Sequence, residues 1–118
     1  MTQEQFVDAL KIAVTESSVK GVVSALESPP GRKPKDLYKK LSEWYNGLDA
    51  ADKNMVVDIV RLSIDHGVFG FLCVIDGVRA IAGGDKSGEF TLSYKDVDGE
   101  SILNDPNEDY LHDLYNAE

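Results

Sequence analysis

The chain has 118 residues, of which 42% are hydrophobic and 28% are charged, and its formal net charge is −9. This balance predicts one soluble globular domain, residues 1–118, and excludes a disordered chain, which carries far less apolar surface. Cys73 is the single cysteine, so a disulfide framework is excluded. It lies in an apolar run, where we expect a small buried side chain.

The negative charge is concentrated in the second part of the chain. Residues 1–48 hold seven Lys and Arg against six Asp and Glu, whereas residues 49–118 hold five against fifteen. Such a field repels nucleic acid and anionic membranes and favours a basic partner, the alternative being solubility alone. Met1 to Phe6 lacks secretory-signal features, and the apolar run Val68 to Ile75 is too short to cross a bilayer. We therefore predict a cytoplasmic protein.

The sequence pattern before Pro29 predicts helical structure. Thr2 and Gln5 have the spacing of a capping box. The apolar stripe that follows loses phase at residues 16–18, which predicts a kink or a second short helix. Ser28-Pro-Pro-Gly31 ends the helical region, because two prolines remove two amide donors and fix two φ angles.

Two more helices are predicted before residue 67. One begins at Pro34 and closes at Asn46-Gly47, with Leu37, Leu41 and Trp44 on a face that we interpret as a packing surface. The next starts at an N-cap, Asp49, and extends to about residue 65. Its broad apolar band is typical of a central helix, and its members include Met55, Val56, Ile59, Val60 and Leu62.

The most hydrophobic stretch, Gly67 to Ile81, predicts a buried β-hairpin. Asp76-Gly77 lies between two apolar runs, and this dipeptide suits the type I′ turn of a two-residue hairpin. In that hairpin Asp76 and Arg79 would reach solvent. A flexible turn at residues 82–88 and a third strand, Glu89 to Lys95, would follow, with Phe90, Leu92 and Tyr94 facing the core.

The carboxyl-terminal part predicts a turn at residues 96–99 and then a helix from Asp105-Pro106, with Tyr110, Leu111, Leu114 and Tyr115 facing inward. The predicted fold class is α+β: amphipathic helices packed on a small three-stranded antiparallel sheet, with a C-terminal helix.

No catalytic constellation emerges from the sequence. Residues 94–105 imitate part of an EF-hand loop but lack two key ligands. His66 and the pair His112-Asp113 are too few for a metal-dependent hydrolase, and no serine lies in a nucleophile elbow. We predict no metal, no cofactor and no catalytic residue, and an enzyme is the less favoured reading.

Two candidate binding surfaces follow from charge and aromatic content. The basic run of residues 32–40 could bind phosphate or an acidic partner; the alternatives are a complement to the acidic end of the chain and a solvated helix face. The first candidate binding surface is acidic and consists of Asp96, Asp98, Glu100 and Asp113. The other is a pocket near Arg32, Trp44, Tyr45 and Arg79, where an Arg fork beside aromatic rings would hold a carboxylate or phosphate.

Four blocks carry a resemblance: Ser28-Pro-Pro-Gly-Arg32, Ser42-Glu-Trp-Tyr-Asn46, residues 69–81 and Leu111-His-Asp-Leu114. Through them the chain resembles a family of small bacterial proteins for which no activity is established. In size, acidity and order of elements it is also similar to bacterial immunity proteins. The second resemblance implies a non-enzymatic inhibitor of a protein partner.

The leading hypothesis is therefore a bacterial protein-binding module whose acidic surface contacts a basic partner. The alternative is a small-molecule-binding protein or enzyme that uses the pocket near Arg32. A homodimer formed through a sheet edge or an aromatic face is a third possibility.

Overall fold

The computed structural model describes residues 1–81, 83 and 88–117 and confirms the α+β class. Within those residues the sheet has two antiparallel strands, so the three-stranded prediction is wrong. A C-terminal helix is present, and most of the predicted turn at residues 82–88 lies outside the described residues. The elements are α1 (Gln3–Leu10), a π-helical segment (Lys11–Glu16), α2 (Ser17–Glu27), α3 (Asp36–Asn46), α4 (Ala50–Ile75), β1 (Ser93–Asp96), β2 (Gly99–Ile102) and α5 (Leu111–Asn116).

The chain forms two compact units. One comprises residues 1–13 and 66–118, and the other comprises residues 14–65. The boundaries fall within the π-helical segment and within α4. The expectation of a single domain stays a prediction.

The unit formed by residues 1–13 and 66–118 has a small core in which α1 packs against α5. Val7, Leu72, Leu111 and Tyr115 are its buried members, and Leu92 packs against them. The predicted capping box at the start of α1 is confirmed, because Thr2 Oγ1 accepts from the Gln5 amide while Gln5 Oε1 accepts from the Thr2 amide. Cys73 is buried, as expected.

The predicted hairpin at Gly67 to Ile81 is wrong, because α4 continues through this stretch to Ile75. Asp76-Gly77 ends the helix instead. The Gly77 amide donates to the Val74 carbonyl at 3.1 Å, and the Val78 amide donates to the Cys73 carbonyl at 3.0 Å. With Gly77 at φ 78°, these bonds form the Schellman motif of a helix terminus. A left-handed glycine serves a helix end and a hairpin turn equally well.

Gly67, inside α4, and Gly77, just beyond its end, are expected to respond oppositely to replacement by alanine. Gly77→Ala should destabilise the protein by about 1 kcal/mol, because alanine strains the positive φ of the helix end. Gly67→Ala should stabilise it by about 0.5 to 1 kcal/mol, because Gly67 is exposed inside the helix and a Cβ there meets no atom within 4 Å. Chemical denaturation measures both changes. A destabilised Gly67→Ala variant would contradict a helix through residue 67.

The strands β1 and β2 form a hairpin closed by Val97 and Asp98, so the predicted turn at residues 96–99 is confirmed. Tyr94 pairs with Ser101 across it. Only part of the predicted third strand is strand, because β1 begins at Ser93. Leu92 packs on the core, but Phe90 and Tyr94 are exposed, which corrects their predicted inward orientation.

The last helix starts later than predicted. Asp105 Oδ1 accepts from the Asn107 amide in a turn, and α5 begins only at Leu111. Leu111 and Tyr115 are buried and Leu114 packs against the core, as predicted, whereas Tyr110 is exposed. The turn uses Asp105 locally, so it does not cap a helix.

The unit of residues 14–65 is built on α2 packed against α3. The loss of phase at residues 16–18 reflects the π-helical segment that ends at Glu16, since i→i+5 bonding shifts the apolar stripe without ending the helix. Helix α2 ends at Glu27, as predicted, and Asn46 Nδ2 donates to the Glu27 carbonyl at 3.0 Å. The predicted N-cap Asp49 is confirmed by a 2.8 Å bond from the Asp52 amide.

Candidate functional site

The outer face of α3 is apolar and exposed. Leu37, Leu41 and Trp44 lie on it with exposures of 61%, 37% and 56%. Spacings of four and three residues place these side chains on one stripe of a helix. We call these three residues the α3 stripe. A neighbouring face of the same helix carries the buried Ser42 and Tyr45.

The amino-terminal half of α4 repeats this arrangement. Met55, Ile59 and Leu62, which we call the α4 stripe, are 59% or 60% exposed and again stand four and three residues apart. Their predicted role in a central, enclosed helix is therefore wrong.

Contacts within residues 14–65 explain why the α4 stripe faces outward. Lys53 Nζ lies 5.5 Å from the centre of the Tyr45 ring, and the Arg61 guanidinium binds the Glu16 carboxylate with both of its terminal nitrogens, at 2.5 and 3.2 Å. At 100° per residue, Lys53 and Arg61 lie roughly opposite the stripe. The side of α4 that contacts the rest of this unit is thus the side that carries these two cations.

The ion pair between Glu16 and Arg61 also sets the charge state of both groups. The hydrogen bond from Arg61 lowers the pKa of Glu16 below its ordinary value, and the bond to Glu16 raises the pKa of Arg61. Because a depressed carboxyl pKa adds stability above the unfolded pKa, this contribution is lost as pH falls through the folded value. The pair is solvent-exposed, so its contribution is modest.

Two residues of the predicted pocket, Trp44 and Tyr45, lie on different faces of α3. Trp44 is exposed and belongs to the α3 stripe, whereas Tyr45 is buried beneath Lys53. Arg32 is exposed in the connection before α3. Arg79 belongs to the other unit, where its guanidinium lies against the backbone of Gly70.

The residues of the predicted acidic surface are exposed. Asp96, Asp98 and Glu100 lie on the β1–β2 hairpin, and Val97 between the two aspartates is fully exposed at its tip. Asp113 lies on α5, with Oδ1 at 3.4 Å from His112 Nε2. Contact with a basic partner stays a prediction.

The unit of residues 1–13 and 66–118 contains a buried polar pair that sequence reasoning missed. Asp76 was expected at the solvent-exposed tip of a hairpin, yet its side chain is only 1% exposed. Its Oδ2 accepts from the His112 amide at 2.9 Å and lies 2.6 Å from His112 Nδ1. The His112 ring stacks on Tyr110 and meets the edge of Phe69.

A cavity of about 450 Å³ lies beside this pair, with Asp76, Arg79, Glu89 and Asn104 among its lining residues. Asp76 and Asp113 each place a carboxylate oxygen near one ring nitrogen of His112, and the shorter of these contacts joins α5 to the end of α4. Among the described residues, no three or more His, Cys, Asp or Glu side chains gather as metal ligands would.

No protein-family model, curated protein or solved structure matches the chain. The resemblances drawn from its four sequence blocks therefore stay predictions. Among the described helices, none combines the length and the apolar character needed to span a bilayer.

Proposed function

We propose that this chain is a non-enzymatic protein-interaction module whose contact surface consists of the α3 stripe and the α4 stripe. The observation that carries the proposal is the exposure of six large apolar side chains, between 37% and 61%, on two helices of one compact unit. Isolated exposed leucines are ordinary, but ordered stripes of this kind are typical of interaction sites.

The size of the surface supports the proposal. Six such side chains expose roughly 100 Å² each, or about 600 Å² together, against about 800 Å² contributed by each partner to a standard interface. Trp44 and Met55 belong to residue types that are enriched at interfaces. Helices also present these side chains in a fixed geometry, which lowers the entropic cost of binding.

Photo-cross-linking in the source cells tests the proposal. Benzoylphenylalanine at position 59, in the α4 stripe, should give a discrete covalent adduct, whereas the same group at the exposed position of Lys20 on α2 should not. The adduct should disappear when Leu62→Ser is added, because this change removes apolar contact area without touching a buried side chain.

Circular dichroism provides the folding control for the Leu62→Ser chain. Because Leu62 is exposed, its free energy of unfolding should change by less than about 0.5 kcal/mol. The absence of any adduct from position 59, or a large loss of stability on Leu62→Ser, would contradict the proposed surface.

A further inference from the structure

The two stripes have the same spacing of apolar residues, and each has one charged residue beside it, of opposite sign in the two helices. In α3, Lys40 lies beside Leu37, Leu41 and Trp44. In α4, Asp58 lies beside Met55, Ile59 and Leu62. Each charged residue is the fourth of an eight-residue segment whose first, fifth and eighth residues are apolar. Lys40 and Asp58 are both exposed and flank their stripes on the same side.

The rest of each stripe's surroundings extends this contrast. Residues 32–44 hold five Lys and Arg against two acidic residues, Asp36 and Glu43, and are therefore basic. Residues 49–62 hold three Asp against two cations, Lys53 and Arg61, which lie roughly opposite the α4 stripe. An apolar stripe in a basic segment and an apolar stripe in an acidic segment are complementary in charge.

We propose that the partner of this surface is a second copy of the same chain, with the α3 stripe of each copy packed against the α4 stripe of the other. This inference rests on the proposed function and names its partner. A two-fold axis generates the contact twice, as an isologous interface requires. The two contacts together bury about 1,200 Å², which reaches the lower limit for a specific interface.

Lys40 and Asp58 fix the register of this dimer. Each lies within one residue of the middle of its stripe, and both flank their stripes on the same side, so they meet at one edge of the contact when the paired helices run antiparallel. Each dimer then contains two Lys40–Asp58 contacts between copies. Within one chain the two stripes are exposed and do not cover each other.

Charge exchange tests the inference. Lys40→Glu alone should weaken dimerisation at least about tenfold, because it places two carboxylates together at both contacts, and Asp58→Lys alone should do the same with two ammonium groups. Mixing the two single variants should restore association, since each contact then pairs opposite charges again. The double variant Lys40→Glu/Asp58→Lys should dimerise like the unmodified chain.

Sedimentation equilibrium over a wide concentration range measures these states, with circular dichroism to verify that every variant is folded. Lys20→Glu is the matched control, because Lys20 is exposed on α2 and outside both stripes; it should leave the dimer unchanged. A monomer at every concentration, or a mixture of the two single variants that fails to associate, would overturn the second-copy inference.

The two proposals fail separately. If position 59 cross-links to a different protein while the purified chain stays monomeric, the second-copy inference is wrong and the proposed function stands. If no adduct of any mass forms and the chain is monomeric, both are wrong.

Discussion

Replacing His112 with Ala is expected to lower the free energy of unfolding by about 3 kcal/mol. The substitution removes the Nδ1 contact to Asp76 Oδ2 at 2.6 Å and leaves a carboxylate whose side chain is 1% exposed. Asp76 Oδ1 already has no hydrogen-bond partner among the described residues. Removing one partner of a buried hydrogen bond costs more than the bond contributes, since the remaining polar group stays desolvated. Urea denaturation measures the change.

His66→Ala is the matched control for this prediction. His66 is the other histidine of the chain and is exposed on α4, so its replacement should change the free energy of unfolding by less than about 0.5 kcal/mol. Asp76→Ala should cost less in the His112→Ala chain than in the unmodified chain, because the ring contact is already lost and only the bond from the residue 112 amide remains to be removed. Additive losses in the double variant would show that Asp76 and His112 are not coupled.

Replacing Asn104 with Ala is expected to cost about 2 to 4 kcal/mol. Asn104 Nδ2 donates to the carbonyls of Ile75 at 2.9 Å and Phe90 at 2.7 Å, and Asn104 Oδ1 accepts from the Leu92 amide at 2.8 Å. One side chain thus satisfies the last carbonyl of α4 and joins the helix end to residues 90–92. Each partly buried backbone group left without a partner costs about 1 kcal/mol or more.

Two further substitutions sharpen the Asn104 prediction. Asn54→Ala, at an exposed position of α4, should leave stability unchanged or slightly raised, because alanine is the better helix former. Asn104→Asp keeps the acceptor for Leu92 but turns a carboxylate toward two carbonyl oxygens, so it should be destabilised at neutral pH and recover partly in acid. If Asn104→Ala is about as stable as the unmodified chain, the proposed stabilising role of Asn104 at the end of α4 is wrong.

Local signals in the sequence predicted local structure well. The capping box at Thr2, the Asp49 cap and the end of α2 before Pro29 are all confirmed. Each depends on hydrogen bonds or φ restrictions between residues no more than a few positions apart. The start of α5 was missed because Asp105 closes a turn with Asn107, an equally local use of the same side chain.

The two apolar stripes were visible in the sequence, but their exposure was not predicted. The spacing of Leu37, Leu41 and Trp44 predicts a packing surface, and all three side chains are exposed. Apolar periodicity defines a face of a helix, but it does not say whether that face packs within the chain or meets a partner. Conversely, the Asp76–His112 pair spans 36 positions in sequence, and no short-range pattern signals it.

The stretch from Gly67 to Ile81 separates what the sequence by itself determined from what only the tertiary structure decided. The sequence determined that residues 68–75 are apolar and that Asp76-Gly77 ends an element. It did not determine which element, because a short apolar run suits a buried strand or a buried helix, and a left-handed glycine closes either. The tertiary structure favours a helix, because Leu72 packs with Val7 and Leu111 and because Asn104 Nδ2 donates to the Ile75 carbonyl. Those partners come from distant parts of the chain, and only folding brings them to the helix end.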